Sequence, residues 1–161
     1  MSSWVKQQNG FTLIEIMMVV VIIGVALTVA VPKLFPSDET LTRGEGEAVL
    51  ALLQVARDEA AFGGRAIAVR FTADRLDFFE RDAGNPDLWN PSSLTALKSR
   101  SLAGKVHSRL SIAGNATVDQ DAQVTFLPAG VSLPFELTLQ ASTAPITIIG
   151  DAIGNLRFKV P

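Results

Sequence analysis

The chain contains no cysteine and a single histidine, His107. The absence of cysteine excludes a structural disulfide, a thiolate zinc site and a cysteine nucleophile. His107 falls in a predicted strand with no second ligand at metal-binding spacing, so it predicts neither a metal site nor a catalytic centre. Basic residues do not exceed acidic ones, with 14 Lys and Arg against 16 Asp and Glu. This balance argues against a surface built mainly for nucleic acid.

Other signatures of chemistry are missing as well. There is no glycine-rich phosphate loop, no pair of carboxylates at catalytic spacing and no nucleophile elbow. Asp119 and Asp121 flank Gln120 in a small acidic stretch. Two carboxylates without further oxygen ligands are weak evidence for calcium, and a solvated loop is the preferred interpretation. The sequence therefore predicts a protein that is not an enzyme and holds no metal or cofactor.

One long apolar run dominates the N-terminal part, residues 11–31, behind a polar leader, residues 1–10, that carries Lys6. A helix of 21 residues rises about 31 Å, which matches the hydrocarbon core of a bilayer. Positive charge before such a helix keeps that end in the cytoplasm, so the rest of the chain is expected on the outer side. A secretory signal peptide is the alternative, but Val29-Ala30-Val31 is a poor cleavage site.

The run contains one charged residue, Glu15. A carboxylate in a membrane segment costs about 2.5–3.5 kcal/mol near the bilayer centre and less near its edge. A snorkelling carboxylate at the membrane edge is one interpretation. A functional role for Glu15 is the other.

The residues Gly10-Phe11-Thr12-Leu13-Ile14-Glu15 resemble the processing site of the type IV pilin and type II secretion pseudopilin superfamily. The resemblance implies that a prepilin peptidase cleaves between Gly10 and Phe11, and that the same peptidase-methyltransferase methylates the new amino group of Phe11. It also implies assembly into a helical fibre. There, a neighbour's amino terminus could approach Glu15 and form an ion pair in a low dielectric.

A kink or broken turn is predicted at Pro32, because proline removes a helical hydrogen bond. Ser37 and Asp38 then offer helix N-caps. Residues 32–64 are expected to form the amphipathic second half of the long helix, ended by Gly63-Gly64. Its predicted core-facing residues are Leu41, Ala48, Val49, Leu52, Leu53, Val55, Ala56, Ala60 and Phe62.

From residue 65 to residue 161 the period changes to two, which predicts a β-domain. The resemblance implies that this domain lies in the periplasm. A hairpin is expected from strands around 66–71 and 76–80, and later strands at 106–112, 123–126, 135–141, 146–149 and 156–160. Residues 86–101 are predicted to be an irregular surface excursion. The fold class is α+β, with a long N-terminal helix, kinked near Pro32, packed on an antiparallel β-sandwich.

The aromatic residues in the strands have alternating positions, which predicts core packing for most of them: Phe71, Phe78, Phe126, Phe135 and Phe158. Phe79 breaks this alternation, so it packs under the long helix or faces a partner. Trp89 either caps one end of the sandwich or is an exposed anchor for a neighbouring subunit.

Three stretches outside the N-terminus, 126–130, 150–154 and 57–65, resemble the H-type minor pseudopilins of type II secretion and the related FimT/FimU-like minor pilins. The resemblance implies a structural subunit of the pseudopilus that supports export of folded proteins across the outer membrane. Its expected partners are the major pseudopilin, other minor pseudopilins, the peptidase-methyltransferase and the inner-membrane assembly platform.

The alternative function is a minor type IV pilin that primes pilus assembly or binds DNA. DNA-binding relatives use a glycine-arginine-x-arginine element. The corresponding stretch here is Gly154-Asn155-Leu156-Arg157, with Lys159 nearby. Because Asn155 replaces one arginine and the chain is slightly acidic, nucleic acid is not the predicted partner.

Overall fold

The structure is a computed structural model that describes residues 12–34, 37–112, 115–116, 123–129, 133–142 and 145–159. The chain divides into two compact units, Met1–Pro36 and Ser37–Pro161. Gly10, Phe11 and the acidic stretch Asp119–Asp121 lie outside the described residues. The predicted cleavage site and the weak calcium candidate therefore remain sequence-based.

The first unit contains helix α1, Leu13–Leu34. The amides of Glu15 and Ile16 donate to the carbonyl of Thr12 at 3.0 and 3.3 Å. The helix assignment continues through Pro32 to Leu34, and the kink expected at Pro32 stays a prediction. By length and hydropathy together, no helix among the described residues qualifies as a membrane span.

The second unit begins with helix α2, Asp38–Gly63. Ser37 is its N-cap, with an extended backbone (φ −65°, ψ 155°) and a side chain that accepts a hydrogen bond from the Thr40 amide at 3.2 Å. Gly64 ends the helix with a left-handed φ of 65°, a conformation that costs glycine least. Both predicted helix ends are thus confirmed.

The buried face of α2 follows Val49, Leu53, Ala56 and Ala60. The prediction for Phe62 was wrong, because this side chain is 90% exposed. Phe62 follows Ala60 by two residues, which turns its side chain about 200° around the helix axis, away from the buried face.

The described residues contain ten strands, which form two antiparallel sheets. Their bounds are β1 Ile67–Thr72, β2 Arg75–Arg81, β3 Trp89–Pro91, β4 Arg100–Ser101, β5 His107–Ile112, β6 Asn115–Ala116, β7 Gln123–Phe126, β8 Phe135–Gln140, β9 Ile146–Gly150 and β10 Leu156–Phe158. The first sheet has the order β3-β2-β1-β7, with β4 also paired to β2. The second has the order β10-β9-β8-β5-β6. These sheets and their helices confirm the α+β class.

The segment 86–101, predicted to be irregular, contributes two short strands to the first sheet. Trp89 pairs with Arg81 at one end of β2, and Arg100 pairs with Leu76 at the other end. Their pairing is non-local and each strand is only two or three residues long, so the period-two pattern was too short to detect.

One continuous core lies between α2 and the two sheets. Phe71, Phe78, Phe126 and Phe135 are at most 4% exposed, as predicted, and Phe158 is partly buried against the same cluster. Gly46 allows α2 to approach the second sheet closely. A Cβ there would lie 3.3 Å from Ile146 and 3.4 Å from Phe158.

Candidate functional site

Glu15 is the first feature of the candidate site. It lies exposed in the first turn of α1 and is the single charged residue between residues 13 and 28. Among the residues that the structure describes, it has no ion-pair partner. A helix N-terminus stabilises a carboxylate, and Glu15 is free to receive a cation from another molecule.

The apolar surface of α1 is the second feature. Its large side chains from Leu13 to Leu27 are 43–78% exposed, and they point in every direction around the helix. Apolar surface of this extent is covered in a stable protein, either by lipid or by other helices. The described part of α1 therefore presents a surface suited to association.

A buried ion pair joins α2 to β4 in the second unit. Glu45 is 5% exposed and accepts a hydrogen bond from the Arg100 guanidinium. Glu45 precedes Val49 and Leu53 at four-residue steps, so it continues their buried face into the first half of α2. A carboxylate on that face needs a cation, and Arg100 supplies it.

Glu80 lies near the C-terminal end of β2 and binds several neighbouring groups. Its carboxylate accepts hydrogen bonds from Arg65 at 2.9 Å, from the Ser92 hydroxyl at 2.6 Å and from the Ser93 amide at 2.9 Å. Burial alone would raise the pKa of Glu80, but the bonds from Ser92, Arg65 and Ser93 outweigh it and hold the pKa below its usual 4.5. Glu80 thus fixes the residues after β3 and the loop after α2.

Glu80→Gln should flatten the acid dependence of stability. The pKa of Glu80 is lower in the folded protein than its value of 4.5 in the unfolded chain, so the ionised carboxylate stabilises the fold. This contribution to stability is complete above pH 4.5 and is lost as the pH falls through the pKa of the folded state. We expect the variant to be less stable by about 1–2 kcal/mol at neutral pH and nearly equal to wild type in acid. Urea unfolding of residues 37–161 across this pH range measures the difference. The stability of Ser92→Ala at neutral pH should lie between those of the wild type and Glu80→Gln. If the stability of Glu80→Gln depended on pH as strongly as that of the wild type, this role of Glu80 would be contradicted.

The turn between β9 and β10 is held by Asp151. Its carboxylate accepts from the amides of Ile153 and Asn155 at 3.0 and 2.8 Å and from the Asn155 side chain at 2.9 Å. The Asn155 side-chain bond is the main cause that holds the pKa of Asp151 below 3.8. Arg57 of α2 donates to the carbonyl of Gly154 at 3.3 Å. Two stretches that are far apart in sequence, near Arg57 and near Gly154, therefore meet.

The remaining candidates lie apart from one another. His107 is exposed at the start of β5, and no metal-binding group of side chains occurs among the described residues. Asn155 is engaged with Asp151, and Lys159 pairs with Glu136 at 3.0 Å, while Arg157 is exposed on β10. The stretch that corresponds to the DNA-binding element of relatives, residues 154–159, thus presents one cation, Arg157, without an ion pair.

Phe79 and Trp89 occupy related places on the outer side of the first sheet. Trp89 is half-buried, with the Arg81 guanidinium 4.9 Å from its ring centroid. Phe79 is also half-buried, with the Arg70 guanidinium 4.7 Å from its ring centroid. Neither arginine was predicted from the sequence to be a site residue. Arg81 and Phe79 follow each other at alternate positions of β2, and this was the signal that they share a face.

Comparison with known proteins agrees with this architecture. The family model "Type II transport protein GspH" matches residues 45–154, which include α2 from Glu45 onward, strands β1 to β9 and the Arg57–Gly154 contact. The chain belongs to this family. A second model, the prokaryotic N-terminal methylation motif, matches residues 5–31, the stretch that holds Gly10, Phe11 and Glu15. The chain thus combines a GspH-family unit with a prokaryotic N-terminal methylation motif.

Solved structures share the fold at low identity. The minor pseudopilin EpsH of the Vibrio cholerae type II secretion system matches with a TM-score of 0.65 and 19% identity, over 78% of this chain and 99% of that one. The solution structure of Escherichia coli GspH gives 0.59 and 19%, over 75% and 89%. The Pseudomonas aeruginosa type IV minor pilin FimU gives 0.54 and 14%, over 74% and 88%.

A curated relative matches over a shorter stretch. The type II secretion system core protein G of Pseudomonas aeruginosa is 41% identical over 54 residues, which are 31% of this chain. The chain spans 38% of the length of that relative.

Proposed function

We propose that this GspH-family chain is a minor pseudopilin that works as a structural subunit of the type II secretion pseudopilus. In this role it supports export of folded proteins across the outer membrane and performs no catalysis. The observation that carries the proposal is the pairing, in one chain, of the GspH-type unit with the methylation motif and its lone Glu15. The exposed apolar side chains of α1 support an environment of lipid before assembly and of neighbouring helices after it.

The proposed route begins with cleavage after Gly10 and methylation of Phe11 by the peptidase-methyltransferase. The sequence run 11–31, which extends beyond the described side chains of α1, anchors the chain in the inner membrane with its unit 37–161 in the periplasm. The assembly platform then transfers it into the pseudopilus beside the major pseudopilin and other minor pseudopilins. Glu15 forms an ion pair with a neighbour's amino terminus, and this contact sets the register of assembly.

The experiment is deletion of the gene and complementation with the full chain. We expect the deletion strain to retain normally exported folded proteins in the periplasm, and complementation to restore them to the medium. Surface pili and DNA uptake are measured in the same strains. Loss of pili or of DNA uptake with normal secretion would replace the proposal with a minor type IV pilin.

A further inference from the structure

The outer face of the first sheet concentrates arginines and aromatic rings. Along β2, Leu76 and Phe78 are buried in the core, while the intervening positions Arg75, Asp77, Phe79 and Arg81 point to the opposite side. Arg70 comes from β1, where it pairs with Asp77, and Trp89 comes from β3, where it pairs with Arg81. We call the set Arg70, Arg75, Phe79, Arg81 and Trp89 the arginine–aromatic face.

Two of its guanidinium groups are positioned by rings rather than by carboxylates. Arg70 lies 4.7 Å from the centroid of Phe79, and Arg81 lies 4.9 Å from the centroid of Trp89. Such stacking restrains the guanidinium plane and leaves its N–H edge available. Among the described residues, the guanidinium groups of Arg70 and Arg81 make no side-chain hydrogen bond and no ion pair within 4 Å, and the buried Nε of Arg70 has no acceptor.

Asp77 is the single carboxylate on this face among the described residues, and it is already paired with an arginine. Asp77 accepts a hydrogen bond from Arg75 Nε at 2.8 Å. Burial would raise the pKa of Asp77, but the Ser99 side chain, Arg75 and the charge of Arg70 together lower it, so the group is ionised at neutral pH. The face thus holds three arginines against one carboxylate, on a chain whose net charge is −2.

We propose that the arginine–aromatic face binds an acidic segment of a partner protein, whose carboxylates are received by Arg70 and Arg81. Carboxylates match the planar fork of a guanidinium and form two parallel hydrogen bonds with it. Arg70 and Arg81 are held in place before the partner arrives, so little side-chain entropy is lost on binding. This contact involves the second unit and goes beyond the proposed assembly through α1.

Single-stranded nucleic acid fits the same face less well. Bases bind by stacking on open aromatic rings, and here guanidinium groups already cover a face of Phe79 and of Trp89. A phosphate backbone also needs a longer track of cations, whereas this chain has fewer basic than acidic residues. An acidic protein segment needs neither open aromatic rings nor a long track of cations.

Fluorescence anisotropy tests the proposal with the full chain in detergent micelles. The probes are a labelled oligoglutamate peptide and an oligothymidylate of equal length, at physiological salt. We expect the wild-type protein to bind oligoglutamate more tightly than oligothymidylate. Arg81→Gln and Arg70→Gln should each weaken oligoglutamate binding by about tenfold. Arg109→Gln, on β5 of the other sheet, is the matched control and should bind as wild type does.

One further variant tests whether the shape of the guanidinium matters as well as its charge. Arg81→Lys keeps the charge but loses the planar fork, and we expect it to bind nearly as weakly as Arg81→Gln. Arg81 is exposed, so its variants report on binding even if Arg70→Gln lowers stability. Equal binding by Arg81→Lys and wild type, an equal loss in Arg109→Gln, tighter binding of oligothymidylate or no oligoglutamate binding would each overturn the proposal.

Discussion

Glu15→Leu is expected to remove the protein from the fibre while leaving its second unit folded. In the assembled fibre, the neighbour's amino group would be left unpaired in a low-dielectric core. Loss of one partner from a buried ion pair costs about 3–5 kcal/mol, so we expect less than about a tenth of wild-type incorporation. The measurement is the fraction of the chain recovered with sheared fibres, together with the amount of exported protein in the medium.

The matched control is Glu39→Gln, an acidic residue in the first turn of α2 rather than α1. It should assemble as wild type does. Mass spectrometry of Glu15→Leu should find the leader removed, which separates an assembly defect from a processing defect. Wild-type incorporation of Glu15→Leu would refute the ion-pair account, even if the chain proved essential for secretion.

Gly150→Ala is expected to destabilise the second unit, because the added methyl group would overlap Phe135. A Cβ at Gly150 would lie 2.2 Å from Cε1 of Phe135, and 2.7 Å from Cδ1 and Cζ of the same ring. Phe135 pairs with Gly150 across β8 and β9 and lies in the core. Phe135 is 3% exposed, so the ring or the strand must shift to admit the methyl group, and we expect destabilisation of about 1–3 kcal/mol. Urea unfolding of residues 37–161, which contain the whole core, gives the value.

Gly44→Ala is the matched control. Gly44 lies exposed in α2, and a Cβ there would meet nothing within 4 Å. Alanine should therefore stabilise the helix, by up to about 1 kcal/mol. Adding Phe135→Leu to Gly150→Ala should recover part of the loss, because it removes the clashing atoms. If Gly150→Ala and Gly44→Ala have the same free energy of unfolding, the close approach of Phe135 is not what requires glycine at position 150.

The features that sequence predicts well here are those encoded within a few residues. Ser37 caps α2 through a bond to the amide three residues later, and Gly64 ends it through its own backbone. Strand β7, Gln123–Phe126, has the predicted bounds because its two inward and two outward positions alternate cleanly. Such signals need no knowledge of the rest of the fold.

The errors arise where distant segments decide the outcome. Strands β3 and β4 exist because β2 offers them a partner, and their own residues carry little β-pattern. The exposure of Phe62 depends on which face of α2 the sheets cover, and the predicted apolar stripe was wider than the face that is fully buried. Val49, Leu53, Ala56 and Ala60 proved to be the fully buried stripe.

The candidate site divides in the same way. Glu15 stands out from sequence because a lone charge in an apolar run is visible without a structure. Arg70 and Arg81 do not stand out, because each meets its ring only after β1, β2 and β3 are aligned. Glu45 and Glu80 did carry a local signal, since each occupies a position whose neighbours at the same period are buried.

The two short strands on the outer side of β2 have a consequence for how subunits are kept apart. β3 and β4 occupy the two ends of the same edge, and Glu80 anchors the segment just after β3. A bare strand edge would add strands from other molecules and promote aggregation. The proposed pseudopilus would concentrate subunits side by side, so this hazard would be acute there. The excursion thus closes this route to uncontrolled polymerisation and leaves ordered contacts to other surfaces.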